Sequence, residues 1–194
     1  MTRKEQIVQT CMDIFTESGT DGLTMKAIAE RVQISEPAIY RHFENKEAVI
    51  IAMVAHIRDE IFRYVDEIAA QSLSAVEKLH RIFGHHLYYL KEKRAITLEL
   101  LSESFFHHHP GVRRHMLFLL EGYHRKIQNI MTTGLEKGEI PEGVPPRAAS
   151  ILFLGGMQHL LTMFKLTNDE KEIDAVAEDV FGLFKKALKG GSES

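Results

Sequence analysis

Apolar residues recur along this chain at helical spacing almost from its first residue. Ile7, Val8, Cys11, Ile14 and Phe15 share one face of the segment from Lys4 to Ser18, the three-and-four pattern of an amphipathic helix, and Gly19 is expected to end it. Thr24 stands where an N-cap belongs, ahead of a short second helix over 25–32 with Ile28 and Ala29 turned inward. Ser35 is expected to cap a third short helix over 36–42, where Pro37 is tolerated because first-turn N–H groups have no partner inside the helix. Phe43, Glu44 and Asn45 break the pattern, and Asn45 can cap a long helix running to about Ala70. Helices follow over 74–92 and 95–107, then one from Pro110 to Lys137 with Val112, Met116, Leu119, Leu120, Tyr123, Ile127, Ile130 and Met131 on one face. The glycines and prolines of 138–146 mark a loop. A nearly all-apolar helix runs from Pro146 to Leu166, and a last one over 172–188 carries Ile173, Val176, Ala177, Val180, Phe181, Phe184 and Leu188 on one stripe. The tail 190–194 is expected to be disordered. The fold class is all-α: a three-helix N-terminal domain over 1–47, then a larger helical domain over 48–189.

Composition narrows this reading without changing it. The 194 residues are 44% hydrophobic and 26% charged, ordinary for a globular protein able to bury a core. The net charge of −3, and the six Lys/Arg against eight Asp/Glu of residues 1–47, exclude a protein that coats nucleic acid by bulk charge. Cys11 is the single cysteine, so no intramolecular disulfide can form, and it reads as a small core residue in a reducing compartment. The first residues lack the apolar run of a signal peptide. Ser150, Gln158 and His159 interrupt the most membrane-like stretch, Ala148 to Phe164, so a cytoplasmic protein with no membrane partner is expected.

Two short helices separated by a tight turn suit a helix-turn-helix. Packing Ile28, Ala29, Val32, Ile34, Ile39 and Phe43 inward leaves Thr24, Lys26, Gln33, Ser35 and Glu36 facing outward, together with Pro37, Ala38, Tyr40, Arg41, His42 and Lys46. Hydroxyls, cations and a phenol exposed together are what a phosphate-lined groove requires. The segment from Leu23 to Glu47, with Ile39, Tyr40, Arg41, His42 and Phe43 in a row and Lys46 two residues beyond, resembles the DNA-binding signature of the TetR family of bacterial regulators. The resemblance implies that Tyr40 and His42 contact phosphates, and that Thr24 and Lys46 do so from helix N-termini. It places positions 36, 37, 38 and 41 nearest the base edges. Arg41 can pair with guanine and Ala38 can touch a thymine methyl. Glu36 either accepts from a cytosine amino group or simply complements the positive end of its helix.

One such unit reads a half-site, so a homodimer on a palindromic operator in double-stranded DNA is expected. Its interface is expected on the last two helices, around Gly155, Gly156, Leu160, Val180, Phe181 and Phe184. The resemblance also implies a pocket for a small, largely hydrophobic effector that releases a repressor from its operator. Candidate lining residues are Phe83, His86, Tyr89, Leu101 and Phe105, together with Met116, Tyr123, Phe153, Met157 and His159, although aromatic and Met residues at helical spacing more often form plain core. The histidines at 85–86, 107–109 and 115 show no ligand spacing, so no metal and no cofactor is expected. No nucleophile elbow, phosphate-binding glycine loop, dinucleotide fingerprint or zinc-protease run is present, which argues against an enzyme. A helical protein-binding adaptor would not require Tyr40, His42 and Lys46 exposed around one short helix.

Overall fold

The computed structural model describes residues 2–92, 103–167 and 169–189. Among them nine helices and no strand are found: α1 (Arg3–Gly22), α2 (Met25–Val32), α3 (Glu36–Tyr40), α4 (Lys46–Ala69), α5 (Ala75–Glu92), α6 (Glu103–His108), α7 (Pro110–Glu136), α8 (Pro146–Thr167) and α9 (Glu170–Leu188). Most boundaries follow from local chemistry. Thr2 and Glu5 form a reciprocal capping box that starts α1. Asn45 Oδ1 accepts from the Ala48 amide at 2.8 Å to open α4. Ser74 and Glu77 cap α5 in the same reciprocal way as the start of α1.

Two helix ends differ from expectation. At Gly19 the backbone leaves the helical region as anticipated (φ 64°, ψ −163°), but one more turn forms before Gly22; only glycine adopts that conformation without strain. Helix α9 starts at Glu170 rather than 172, because Asp169 Oδ1 takes the Glu172 amide at 3.0 Å. The expected helix over 95–107 is described only from Glu103, its earlier part lying outside the described residues, as does the tail 190–194.

The described residues group into two compact units. The first comprises 2–60 and 103–120, the second 61–92, 121–167 and 169–189. In the first, α1 packs on α2 and α2 on α3. Its core holds Ile7, Cys11, Phe15, Ile28, Ile39 and Ile50, all fully buried, and the Phe105 ring meets Phe15 edge-on at 6.4 Å. In the second, α5, α8 and α9 pack on one another. There Phe83, Phe153, Phe181 and Phe184 form one aromatic cluster with centroid spacings of 5.3–6.2 Å, each buried aromatic contributing about 1.5–3 kcal/mol by area. Ser150 is the one buried polar residue among those described. It donates to the Arg147 carbonyl at 2.8 Å and faces Gln128 and His124 at 3.3 and 3.2 Å, tying α7 to α8. No described helix is long and apolar enough to cross a membrane.

Candidate nucleic-acid interface

Thr24, in an extended conformation, caps α2 by accepting from the Ala27 amide at 3.0 Å. The helix stops at Gln33, which sits in the left-handed region (φ 59°, ψ 45°) and closes the turn toward α3, while the Ile34 amide returns to the Ala29 carbonyl at 3.0 Å. Ser35 occupies the N-cap position of α3, but its hydroxyl makes no capping bond. The reason is a shortage of donors. Pro37 has no N–H, and the amides of Ala38 and Ile39 are already taken by the Ser35 carbonyl at 2.9 and 3.3 Å.

Helix α3 is shorter than the expected 36–42. It ends at Tyr40, and Arg41 and His42 follow in a tight turn whose amides return to Ile39, His42 at 2.8 Å. Only Ile39 of α3 is buried. Glu36, Pro37, Tyr40, Arg41 and His42 are exposed and Ala38 is half-buried. Below them Phe43 is buried, with the Lys4 ammonium over its ring. Lys26 is exposed and pairs loosely with Glu30 at 3.9 Å, a contact worth little at a surface.

Lys46 is half-buried, and its ammonium donates to the Thr20 carbonyl at 2.6 Å. Two further contacts were not legible in local spacing. Arg31 grips Glu17 with both guanidinium nitrogens at 2.5 Å, binding α2 to α1; the pair holds the Glu17 carboxyl below its usual range through that hydrogen bond. Glu47 Oε1 accepts from the Gly111 amide at 2.7 Å, joining the first turn of α4 to that of α7. His109 stands beside them, its imidazole pushed down by burial and then by the Lys46 charge.

The expected effector residues divide between the units. Phe105 and Met116 are buried in the first. Phe83, Tyr123, Phe153 and Met157 are buried in the second, Tyr89 is half-buried and His159 is exposed; Leu101 lies outside the described residues. His86 Nδ1 and the Tyr123 hydroxyl lie 3.1 Å apart. Burial pushes His86 down to about 3 and raises Tyr123 above its usual range. A groove of about 330 Å³ between α5 and α9 is lined by His80, Phe83, Leu87, Tyr88 and Ala177, and the Lys91–Asp174 pair lies beside it. A cleft of about 190 Å³ lies among Val65, Ala69, Lys78, Lys126 and Lys137. Among the described residues no group of three metal-binding side chains occurs.

On α8 and α9, Leu160 and Phe181 are buried inside the chain itself, and Val180 and Phe184 are half-buried. Gly156 lies against Val180, and open space surrounds Gly155. The apolar side chains left exposed there are Ile151, Leu152, Met163, Leu166, Val176 and Leu183.

A capped helix, a left-handed turn and a second short helix that buries one side chain and exposes the rest define a helix-turn-helix reading head. Comparison with known proteins sharpens that class. Residues 7–53 match the family model for bacterial regulatory proteins of the tetR family, and residues 52–187 match the C-terminal region of YsiA-like proteins. The fatty acid metabolism regulator protein of Bacillus subtilis is 24% identical over 92% of this chain and 91% of its own length. The regulator UidR of Escherichia coli K12 is 28% identical over 97% and 91%. Among solved structures, FadR of Bacillus subtilis in complex with stearoyl-CoA superposes with a TM-score of 0.79 at 24% identity, covering 94% of this chain and 97% of that one. A TetR/AcrR-family regulator from Thermobifida fusca gives 0.70 at 27% identity, covering 94% and 96%. The chain belongs to the TetR family. It is a DNA-binding transcriptional regulator and not an enzyme.

Proposed function

We propose that this regulator is a repressor that binds a palindromic operator as a homodimer and is released by a small, largely hydrophobic effector, with residues 1–47 binding DNA and 48–189 serving effector binding and dimerisation. The observation that carries the DNA half is the surface of α3 and the turn after it: one side chain is spent on the core, and Glu36, Pro37, Tyr40, Arg41 and His42 are left to a partner. In this reading Tyr40, His42, Thr24 and Lys46 position the head on phosphates, and Lys26 and Ser35 lie at the same surface. Glu36, Pro37, Ala38 and Arg41 meet the base edges.

For the effector, long-chain acyl thioesters are the class of choice. The Bacillus subtilis relative is named as a fatty acid metabolism regulator, and the similar FadR structure holds stearoyl-CoA. An aromatic, mostly apolar interior with the His86–Tyr123 pair as a polar element suits such a ligand. For the dimer, the exposed apolar side chains of α8 and α9, Leu152 and Leu183 foremost, offer what a partner would cover.

The test begins with a duplex selected by the full-length protein from random sequence, its binding followed by fluorescence anisotropy. The selected site should be a palindrome, and Arg41→Ala should weaken it by about 1–3 kcal/mol while relaxing the preference at one position in each half. Stearoyl-CoA should release the protein, whereas free coenzyme A should not. Failure to select any site would end the DNA reading. Failure of stearoyl-CoA to release the protein would end the choice of effector.

A further inference from the structure

Glu47 stands in an unexpected place. It directly follows Lys46, which the proposed function sets against a DNA phosphate, so its negative charge opposes the very partner its neighbour attracts. In the first turn of α4 an acid can simply complement the helix dipole. That turn, however, already has its cap, since Asn45 Oδ1 takes the Ala48 amide at 2.8 Å. The Glu47 side chain reaches away to a helix that starts 63 residues later and accepts the amide of Gly111 at 2.7 Å.

That amide is one of the first-turn donors of α7 that have no partner within their own helix. The fit is close. A Cβ on Gly111 would stand 2.8 Å from Oε1, 2.9 Å from Cδ and 3.0 Å from Oε2 of Glu47, so the carboxylate lies directly on the glycine backbone. Its neighbour Lys46 in turn holds the Thr20 carbonyl at 2.6 Å, four residues before the cap of α2. Two adjacent residues therefore tie the start of α4 to the end of α1 on one side and to the start of α7 on the other, all within the first unit.

We propose that Glu47 is a positioning residue for DNA binding: by clamping the first turn of α4 to the N-terminus of α7, it holds Lys46 where a phosphate passes. The proposal rests on the phosphate role given to Lys46 above. It makes a prediction opposite to that of charge alone. If Glu47 mattered only through its charge, every substitution that removes the charge would strengthen DNA binding. If it is a clamp, the outcome depends on whether an acceptor remains.

The experiment compares Glu47→Gln, Glu47→Ala, Gly111→Ala and Lys46→Ala in the full chain on the selected duplex between 50 and 200 mM salt. Glu47→Gln keeps an acceptor and should bind as tightly as the parent or more tightly. Glu47→Ala and Gly111→Ala, which break the bond from either side, should bind about 10-fold more weakly. Their plots of log affinity against log salt should be shallower by about 0.9, the loss of one phosphate contact. Combining Glu47→Ala with Lys46→Ala should cost little beyond Lys46→Ala, because the two act as one. Hydrogen exchange should quicken at the amides of 46–50 and 111–114 in Glu47→Ala, a readout independent of DNA.

The clamp is refuted if Glu47→Ala and Glu47→Gln change affinity alike, or if exchange at those amides is unaltered. If Lys46→Ala leaves affinity and salt dependence at parent values, the phosphate reading fails and takes the clamp with it. If Lys46→Ala weakens binding and Glu47→Ala does not, the clamp alone fails.

Discussion

Thr24 serves the fold and, in the proposed function, the DNA, and one substitution separates the two duties. Its hydroxyl caps α2 by accepting from the Ala27 amide at 3.0 Å while the residue stays exposed. Aspartate caps a helix at least as well as threonine, and its charge complements the positive helix end. Thr24→Asp should therefore leave the melting temperature unchanged or slightly raised. Thr24→Ala should lose the cap and about 1 kcal/mol of stability. Against DNA the order reverses. A carboxylate roughly 5 Å from a phosphate charge is repelled by about 0.8 kcal/mol at a water-like dielectric and by about 3 kcal/mol at an effective value near 20. Binding by Thr24→Asp should accordingly weaken between about 4-fold and a few hundred-fold, most strongly at low salt. Thr24→Ser, which keeps hydroxyl and neutrality, should match the parent in both measurements. Calorimetry gives the first quantity and anisotropy at two salt concentrations the second. A Thr24→Asp variant that melts normally and binds DNA at parent affinity would show that the N-terminus of α2 does not face a phosphate.

Three further outcomes follow from which side chains are buried and which are exposed. His86 has a folded value near 3 against an ordinary 6.5, because burial disfavours its charged form. Its contribution to stability is thus complete above pH 6.5 and is lost as pH falls toward 3. His85, His109 and His124, also lowered by burial, push the same way. Urea unfolding between pH 8 and 5 should show this decline, and His86→Leu should flatten it while costing about 1–3 kcal/mol at pH 8 by depriving the Tyr123 hydroxyl of its partner; an equally steep decline in the variant would count against it. Cys11 is fully buried and its thiol is pushed up to about 12, so a thiol reagent at pH 8 should label it only as fast as the protein unfolds, and prompt labelling of the native protein would contradict the burial. Leu152 and Leu183 are 70% and 66% exposed, so Leu152→Glu and Leu183→Glu should change monomer stability by no more than about 0.5 kcal/mol yet yield a monomer by sedimentation; dimers of both variants would place the interface elsewhere.

What could be read from the sequence was what depends on neighbours. The caps at Thr24 and Asn45, the breaks at Gly19 and over 138–146, and the inward faces of α2 and α7 each lie within a few residues of the signal that announces them. Ser35 takes the N-cap position that local spacing predicts, but the absence of its side-chain bond depends on a count of free donors, with Pro37 contributing none and Ala38 already engaged. Leu160 and Phe181 illustrate a different gap. An apolar helix shows that it has two faces to bury, but which residues serve its own core depends on the angle at which α8 and α9 meet. The Glu47–Gly111 bond spans 64 positions, and no periodicity carries information over that distance. The exposed set on α3 was legible because a short helix with one buried side chain leaves little choice.

The first unit is completed by residues up to 120, although its reading head ends near residue 47. During synthesis the head therefore leaves the ribosome well before its supporting helix exists. At roughly 5–20 residues per second, the stretch from 60 to 120 takes about 3–12 s to make. Over that interval the DNA-reading segment lacks the bond that the start of α7 gives to the first turn of α4. A chain truncated before residue 110 should lack that bond, and so should a graft carrying only the first 47 residues into another protein.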